Sequence, residues 1–566
     1  MKANETQLKV FLEGSNSFRI PLFQRTYDWE KKQWEPLWDD IIEIYKGKQN
    51  GRHFIGSVVS KLLISGPEKA TPYLIIDGQQ RLITLTILLA VISDIAKKEN
   101  QDLSNEINEQ YLKNKFADDL NVYKVLPTQA DRKAFFQIIN HEELEERSSR
   151  IQKVYLYFKK NIQTFSDDKK PIDLVKLKTV ILHGLELVSI TLDENDDEYL
   201  IFESLNGKGS PLTQADLIRN LFFMRIEHNK QDEAYSNLWL PMQESLGTNL
   251  EGFFKHQLES INGEFTRKNE LYQTWKGRLS KLTSEKLISE LETLKYNSKF
   301  YLRLISPELE DSKLISNRLY RLSRWGVETT YPFLLNVYRD FDNGKISEQE
   351  FDELLLIIES FLVRRFFANV KTKQLNRLFI RLYSQIPKEQ KLVEGTKEIL
   401  SEQSKRWPSD ESFLDAIKTF PLFTDGRGEQ RKMILESFEL FYKHKELPNF
   451  SSTTIEHILP QTLTPEWKEY LDLNNPSVKE GNEKTLERLI HTLGNLTLSA
   501  YNSELSNNTF DEKKKLLLNS NLEMNKEIAK NTEWKFKQIE ERATLLSERA
   551  LKIWPGPLTK YSPAVI

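Results

Sequence analysis

Apolar residues are spaced in several ways along the chain, and each spacing predicts a different kind of structure. The segments 53–59 and 73–76 are short, β-rich apolar runs, and the second precedes an apolar helix that runs to about Ile95. Between residues 235 and 420, Leu-x-x-Leu spacing with few glycines predicts helices. Near the C-terminus, apolar residues again suit one helix face: Trp534, Ile539, Leu546, Ala550 and Trp554. The pattern therefore predicts an α+β, multidomain fold.

Three regions follow from these changes in spacing. We predict an N-terminal α/β domain over residues 1–235, a mainly helical connector over 236–424, and a C-terminal domain over 425–566. The second boundary falls at a polar, glycine-rich run, Asp425-Gly426-Arg427-Gly428-Glu429.

Bulk composition narrows the function classes. The chain has 566 residues, 80 basic against 83 acidic side chains, and no cysteine. Near neutrality means that any nucleic-acid surface must be a local patch. The lack of cysteine excludes disulfides, thiolate zinc sites and cysteine nucleophiles. No apolar run has the length of a membrane span and the N-terminus lacks a signal-peptide core, so we expect a cytoplasmic protein with no membrane partner.

The run Asp77-Gly78-Gln79-Gln80-Arg81 joins a predicted strand to a predicted helix through a glycine turn. Backbone N–H groups at a helix N-terminus, together with the helix dipole, favour a bound phosphate. Arg81 suits a bidentate phosphate contact. Gln79 or Gln80 suits the orientation of a water molecule, and Asp77 suits Mg²⁺ or a ribose hydroxyl. The run predicts a nucleotide site.

A second polar and aromatic set precedes it. Gln24, Arg25, Tyr27 and Trp29 lie in one short segment, as a site that stacks on and hydrogen-bonds to a nucleic-acid base would require. The alternative is an aromatic cluster that packs the following helix onto a sheet.

Asn206, Lys208 and Gly209 lie in a glycine-flanked basic loop, which we assign to the same nucleotide site. The helix after it begins with Thr213 as N-cap and Asp216 three residues on. The loop lacks the spacing and the ending of a Walker loop. The alternative is an ordinary surface turn.

The C-terminal region contains the residue types of a metal-assisted phosphodiesterase. Such an enzyme needs a general base for water and a divalent cation on a few oxygen ligands. His457 suits the base, and Glu456 with Asn502 suits the metal. Asn495 suits fixing the backbone around His457 through its side-chain amide. Lys513 to Lys515 offer positive charge for a phosphate. Taken singly, each of these residues also suits a surface, capping or turn position.

Two basic and aromatic clusters lie in the helical region. They suit contact with a DNA backbone, and ordinary amphipathic helices with solvated arginines explain them equally well. The clusters are Arg318, Tyr320, Arg321, Arg324 and Trp325, and then Arg364, Arg365, Lys371, Lys373 and Arg377.

The ordered C-terminal set resembles the HNH, or ββα-metal, nuclease motif of GmrSD-type, type IV, modification-dependent restriction enzymes. The resemblance covers about residues 430 to 555, with Glu456-His457-Ile458-Leu459-Pro460, then Gly494-Asn495-Leu496, then Asn502 and the lysines. Glu456 stands where many HNH enzymes have aspartate, and the last metal ligand is either Asn502 or Asn508. The resemblance implies Mg²⁺ or Mn²⁺ as cofactor.

The N-terminal pieces, over about residues 5 to 225, resemble the first domain of the same enzymes, which is related to the ParB and sulfiredoxin fold. The matching runs are Ile20-Pro21-x-x-Gln24-Arg25-x-Tyr27-x-Trp29, Phe54-x-Gly56-Ser57, Asp77-Gly78-Gln79-Gln80-Arg81, and Phe202 to Ile218. This resemblance implies that the domain binds and hydrolyses a nucleoside triphosphate (NTP) and senses modified DNA. By it, Gln80 and Arg81 join His457, Asn495 and Asn502 as catalytic residues.

The resulting hypothesis is a modification-dependent endonuclease that cuts double-stranded phage or foreign DNA under NTP control. One alternative is an NTP-dependent sensor or regulator with a vestigial nuclease. Another is a nuclease directed at RNA. Double-strand cleavage with a single nuclease site per chain favours a homodimer, whereas nicking needs none, so oligomeric state is left open.

Overall fold

The computed structural model describes residues 1–47, 51–63, 70–144, 149–167, 170–193, 196, 201, 213–402, 407–446, 448–477 and 479–557. The chain forms two compact units. The first comprises Met1–Glu244 and Lys268–Glu292, and the second Ser245–Arg267 and Thr293–Ile566. The α+β, multidomain prediction is confirmed. The three predicted domain ranges stay predictions.

The described strands form three sheets. Their bounds are β1 Lys2–Gln7, β2 Asn16–Arg19, β3 His53–Leu62, β4 Thr71–Asp77, β5 Val125–Leu126, β6 Ser166–Asp167, β7 Lys170–Pro171, β8 Leu185–Leu192, β9 Thr454–His457 and β10 Leu496–Ser499. The largest sheet is six-stranded and mixed, in the order β1-β8-β3-β4-β2-β5. Strands β9 and β10 form a two-stranded antiparallel sheet, and β6 and β7 another.

Helices account for most of the remaining described chain. In the first half they are α1 Leu8–Leu12, α2 Lys31–Tyr45, α3 Gln79–Glu99, α4 Gln101–Ile107, α5 Gln129–Ile139, α6 Arg150–Thr164, α7 Leu174–Thr179, α8 Gln214–Phe223, α9 His228–Ala234, α10 Leu240–Leu246, α11 Leu250–Asn262 and α12 Leu271–Leu279.

The later helices are α13 Ser284–Ile305, α14 Lys313–Trp325, α15 Tyr331–Asp342, α16 Glu348–Phe367, α17 Leu375–Gln385, α18 Leu392–Ser401, α19 Asp410–Thr419, α20 Leu422–Asp425, α21 Gly428–Leu440, α22 Pro465–Tyr470, α23 Lys479–Leu489, α24 Asn502–Leu505, α25 Phe510–Leu518, α26 Glu523–Ala529 and α27 Phe536–Ile553. The predicted helical middle is confirmed, since the described part of 236–424 contains no strand. None of the described helices is both long and apolar enough to cross a membrane.

In the first unit, α3 is the central core helix. Most of its side chains are buried, and it carries the strand-to-helix turn at its N-terminus on β4. Helix α2 brings Trp34 and Trp38 into the same core. The segment that carries Gln24, Arg25, Tyr27 and Trp29 lies between β2 and α2. The helix predicted to run to about Ile95 continues to Glu99.

In the second unit, the predicted apolar face near the C-terminus is confirmed. Ile539, Leu546 and Ala550 are buried on α27, while Trp534 and Trp554 are buried just outside its two ends. The helix thus forms part of the core beneath the β9–β10 sheet, and Arg542 on it donates to the carbonyl oxygens of Leu493, Gly494 and Leu496.

Four arginines of the predicted basic clusters lie in ion pairs with little or no exposure. Arg318 pairs with Asp352 at 2.7 Å, Arg324 with Glu429 at 2.9 Å, and Arg364 with Asp410 at 2.7 Å. Arg321 pairs with Glu359, which is itself buried. The interpretation of these four arginines as DNA-backbone contacts is wrong, because each guanidinium is already paired with a carboxylate on another helix. Lys371, Lys373 and Arg377 are exposed, so for them it stays a prediction.

Candidate nuclease and nucleotide sites

The β9–β10 sheet places the candidate nuclease residues. His457 lies opposite Leu496, and Glu456 lies opposite Thr497. Because successive strand residues face opposite sides of a sheet, His457 and Glu456 enter different surroundings. The two side chains therefore have different partners, and joint action on one phosphate requires the His457 side chain to leave its present contacts.

His457 is 5% exposed and is surrounded by side chains on its own face. Its Nε2 lies 3.2 Å from Nδ1 of His491, and its Nδ1 lies 3.3 Å from the amide nitrogen of Gln461. The ring of Phe423 meets it edge-on at 4.4 Å and stacks on His491 at 5.7 Å. Both ring nitrogens thus have a protein partner, and one of these contacts must open before His457 can accept a proton from water.

Burial and nearby positive charge keep the His457 imidazole neutral. Burial lowers the pKa of His457 to about 3, and the neighbouring charges of His491, Lys513 and Arg431 act in the same direction. Burial also lowers the pKa of His491. A neutral imidazole is the form that a general base requires, although so low a pKa makes it a weak one.

Glu456 faces a buried lysine. Lys513 on α25 donates from Nζ to Glu456 Oε1 at 2.7 Å and to the carbonyl oxygen of His457 at 2.9 Å. Burial raises the pKa of Glu456 and lowers the pKa of Lys513, and the attraction between them opposes both shifts. Lys514 donates to the carbonyl oxygen of Asn531. The prediction of positive charge for a phosphate is therefore wrong for Lys513, which is buried against Glu456. For the half-buried Lys514 and the exposed Lys515 it stays a prediction.

Asn495 is fully buried and fixes the chain around His457. Its Nδ2 donates to the carbonyl oxygens of Leu459 and Ile490, each at 2.9 Å. Its Oδ1 accepts from the N–H of Leu459 at 2.8 Å and from Trp534 Nε1 at 3.3 Å. The predicted use of this amide to hold the backbone is confirmed by these bonds.

The side-chain amide of Asn502 has hydrogen bonds on its nitrogen and none on its oxygen. Its Nδ2 donates to Thr454 Oγ1 at 2.7 Å and to the carbonyl oxygen of Ile455 at 3.0 Å. Its Oδ1 is buried and has no hydrogen-bond partner. Thr454 and Glu456 are two residues apart on β9 and share a face, so Asn502 lies on the Glu456 side. Asn508, the other candidate, is exposed and donates to Glu504.

The oxygen atoms of Glu456 and Asn502 fit a hard divalent cation that takes few protein ligands. An orphaned buried amide oxygen is the acceptor that such an ion would satisfy. Lys513 Nζ donates to one carboxylate oxygen of Glu456, so a bound cation would compete with this lysine for that oxygen. Within the described ranges, no cluster of three or more His, Asp or Glu side chains is placed to hold a metal, so most of the coordination shell would come from water and phosphate.

The predicted strand, glycine turn and helix are confirmed in the first unit, while nucleotide binding there stays a prediction. Strand β4 ends at Asp77, Gly78 has φ +96°, and α3 begins at Gln79. A Cβ atom on Gly78 would lie 2.9 Å from the carbonyl oxygen of Ser57, so a side chain is excluded there. Glycine is therefore required at this turn by its close packing on β3.

Gln80 and Arg81 have structural contacts beside that turn. Gln80 Oε1 accepts from the N–H of Asp28 at 2.8 Å, and its Nε2 donates to the carbonyl oxygen of Thr26 at 3.2 Å. Arg81 Nη1 donates to the carbonyl oxygen of Ser57 at 2.5 Å. Gln79 is buried, and no side-chain hydrogen bond joins it to another described residue. Of the two glutamines, Gln79 is therefore the one left for a ligand.

The four predicted sensing residues separate into two pairs, and the first pair is buried. Gln24 donates to the carbonyl oxygens of Ile75 and Ile76, each at 3.0 Å, and its buried Oε1 has no partner. Tyr27 is 2% exposed and its hydroxyl contacts Thr84 Oγ1 at 2.7 Å. For Tyr27, the packing alternative describes the position better than base stacking does.

The second pair lies nearer to open space. Trp29 lines a cavity of about 180 Å³ together with Arg81 and His53. Burial lowers the pKa of the Arg25 guanidinium, whereas the charges of Asp216 and Asp77 raise it. Arg25 Nη1 lies 3.5 Å from Asp28. A sensing function for Arg25 and Trp29 stays a prediction.

The basic loop is not placed. Asn206, Lys208 and Gly209 lie outside the described residues. The predicted cap after it is confirmed, because Thr213 Oγ1 accepts from the N–H of Asp216 at 3.1 Å and Thr213 N–H donates to the Asp216 carboxylate at 3.2 Å.

Comparison with known families covers both candidate sites. The model of the GmrSD restriction endonuclease N-terminal domain matches residues 8–223. The model of the GmrSD restriction endonuclease C-terminal domain matches residues 407–549. The chain belongs to the GmrSD restriction endonuclease family. It is accordingly a restriction nuclease with DNA as its substrate. A comparison with curated proteins gives no match.

In this GmrSD chain, sequence reasoning missed three residues that touch the candidate base or its partner. His491 and Gln461 stand inside the runs that carry the resemblance, so their closeness to the motif was a usable signal. Phe423 precedes the predicted C-terminal boundary at 425, and nothing in the sequence links it to His457. The burial of Lys513 against Glu456 was also not foreseen.

The Asn495 bonds predict a large effect on stability. Asn495→Ala leaves buried partners of the amide unsatisfied, at about 1–3 kcal/mol each, so we expect the free energy of unfolding to fall by at least about 3 kcal/mol. Denaturant unfolding followed by tryptophan fluorescence measures it. Asn508→Ala, which removes an exposed amide, is the matched control with an expected loss below about 1 kcal/mol. Equal losses in the two variants would contradict the structural function of Asn495.

Proposed function

We propose that this GmrSD restriction endonuclease cuts modified phage or foreign DNA by HNH chemistry, and that a nucleoside triphosphate bound in the first unit regulates the cut. One observation carries the proposal. A neutral, buried histidine stands on a strand whose opposite face holds a carboxylate and an orphaned amide oxygen, and a helix packs on that face. These are the parts of a ββα-metal nuclease.

In the cutting step, His457 accepts the proton of the attacking water. Its contact with Gln461 or His491 opens for this, and the remaining contact holds the ring in place. Glu456 and Asn502 hold Mg²⁺ or Mn²⁺. A cation at this position supplies Lewis acidity at the scissile phosphate. Asn495 keeps the backbone after His457 fixed, so that the imidazole keeps its position relative to β9.

In the first unit, the glycine turn and the N-terminus of α3 bind the phosphates of the nucleotide. The left-handed turn at Gly78 supports this assignment, since it starts α3 directly after β4 and leaves the first N–H groups of the helix without helical partners. Gln79 orients the attacking water, and Gln80 with Arg81 fixes the turn. Asp77 belongs to the same site, and Asn206, Lys208 and Gly209 are assigned to nucleotide binding from the sequence alone. Trp29 and Arg25 sense the modification, and Gln24 and Tyr27 hold the segment that carries them.

The regulator alternative is favoured by a different observation. Both nitrogens of His457 are occupied and one oxygen of Glu456 is held by Lys513. A vestigial nuclease would keep such a closed arrangement under every condition, whereas a regulated nuclease opens it when activated. Cleavage under any combination of DNA and nucleotide therefore separates the two.

The proposed base predicts loss of cutting in one variant. His457→Ala should lower the rate of plasmid nicking by at least about 100-fold, because general-base catalysis contributes about 10²–10⁴-fold. A gel assay with Mg²⁺ or Mn²⁺ measures it. The matched control is His228→Ala, an exposed histidine of α9, with an unchanged rate. A folded His457→Ala protein that nicks at the wild-type rate would contradict the assignment.

Substitutions of the two neighbouring glutamines should have different effects on NTP hydrolysis and on stability. Gln79→Ala should lower NTP hydrolysis at least about 10-fold with a smaller fall in melting temperature than Gln80→Ala, because no side-chain hydrogen bond joins Gln79 to another described residue. Gln80→Ala should lower the melting temperature as well, since it releases the backbone at Thr26 and Asp28. Phosphate release and a melting curve on each variant measure both effects. Unchanged hydrolysis in Gln79→Ala would contradict its proposed function.

A further inference from the structure

A cavity of about 590 Å³ lies in the helical part of the second unit. Its walls come from the segment after α14, from the end of α16, and from the chain around α20. Sites for small molecules and cofactors usually measure about 300–1,000 Å³. The cavity is therefore large enough for a small organic ligand, and nothing in the proposed cutting reaction uses it.

The charge of the walls is positive. Arg365, Lys371 and Arg427 line the cavity, against one carboxylate, that of Asp425. Lys371 and Arg427 form no ion pair with a carboxylate among the described residues. Arg427 is exposed, and an exposed guanidinium suits phosphate oxygens because its fork of donors matches them in geometry.

The same walls also provide flat apolar surfaces. Trp325, Phe366 and Phe420 line the cavity, with Phe366 edge-on to Trp325 at 5.4 Å and to Phe420 at 4.7 Å. Beside them, the Thr329 hydroxyl is buried and has no hydrogen-bond partner. A buried hydroxyl without a partner is costly, and a polar group of a ligand would satisfy it.

We propose that this cavity binds a nucleoside phosphate, with the base against Trp325 and Phe366 and the phosphates on Arg427 and Lys371. The site is separate from the nucleotide turn of the first unit, and the proposal does not depend on that turn. Thr329 hydrogen-bonds to the base or the sugar.

The cavity adjoins the candidate nuclease site through α20. Phe420, just before this short helix, and Asp425, its last residue, line the cavity, and between them Phe423 stacks on His491 and contacts His457. A ligand that touches both ends of the segment displaces the ring that packs on the two histidines. Occupancy of the cavity therefore changes the rate of cutting.

Hydrogen exchange of the full chain, read by mass spectrometry, tests the site directly. The probes are ATP, GTP, CTP and UTP, each at millimolar concentration without divalent metal, with adenosine and inorganic pyrophosphate as partial ligands. We expect at least one triphosphate to slow exchange in segments 326–330 and 369–372. Adenosine and pyrophosphate should each bind at least about tenfold more weakly than that triphosphate.

The matched variants are Arg427→Glu, which reverses a charge in the cavity, and Arg381→Glu, which reverses an exposed charge outside its lining. Arg427→Glu should weaken nucleotide binding to the cavity at least about tenfold and abolish the change in cutting rate that this binding causes, while Arg381→Glu behaves as wild type. Protection near Gly78 should be the same in both, which separates the two sites. No slowing with any triphosphate, or equal protection in Arg427→Glu, would overturn the proposal.

Discussion

The hydrogen bonds of one buried amide hold the nuclease region together. Asn495 joins Leu459, in the turn after His457, to Ile490 and to Trp534. Segments far apart in sequence thus keep one geometry around β9 and β10. The strand pairing, the position of His457 and the packing of α27 all depend on that junction. Because each of these bonds is buried, losing the amide costs much more than a surface bond would.

The same region is bonded in a resting arrangement. His457 is neutral and held through both nitrogens, and Glu456 is paired with Lys513 out of solvent. Chemistry at this site requires some of these contacts to open. Regulation by modified DNA and a nucleotide, as proposed, supplies the free energy for that change. Such a closed arrangement fits the regulation that we propose.

Much of the fold and of the candidate sites could be predicted from the sequence, namely the parts whose structure is determined by local chemistry. The Gly78 turn, the Thr213 cap, α3 and the apolar face of α27 follow from spacing and from residue type. Partners that come from distant segments could not be predicted. Nothing local indicates that Lys513 turns inward to Glu456, that Phe423 packs on His491, or that Arg318 and Arg321 lie in buried pairs. Tyr27 illustrates the same limit, since an aromatic residue in a polar run suits either a base or a core.

The central claim is that modified DNA and a nucleotide together control cutting. Cleavage of matched plasmids, unmodified, hydroxymethylated or glucosylated, and phosphorothioated, with Mg²⁺ or Mn²⁺ and with or without each NTP, tests it most directly. The account predicts cutting confined to one modified DNA, at a rate that the nucleotide changes. Equal cutting of all the plasmids, or NTP hydrolysis with no cutting of any of them, would contradict it.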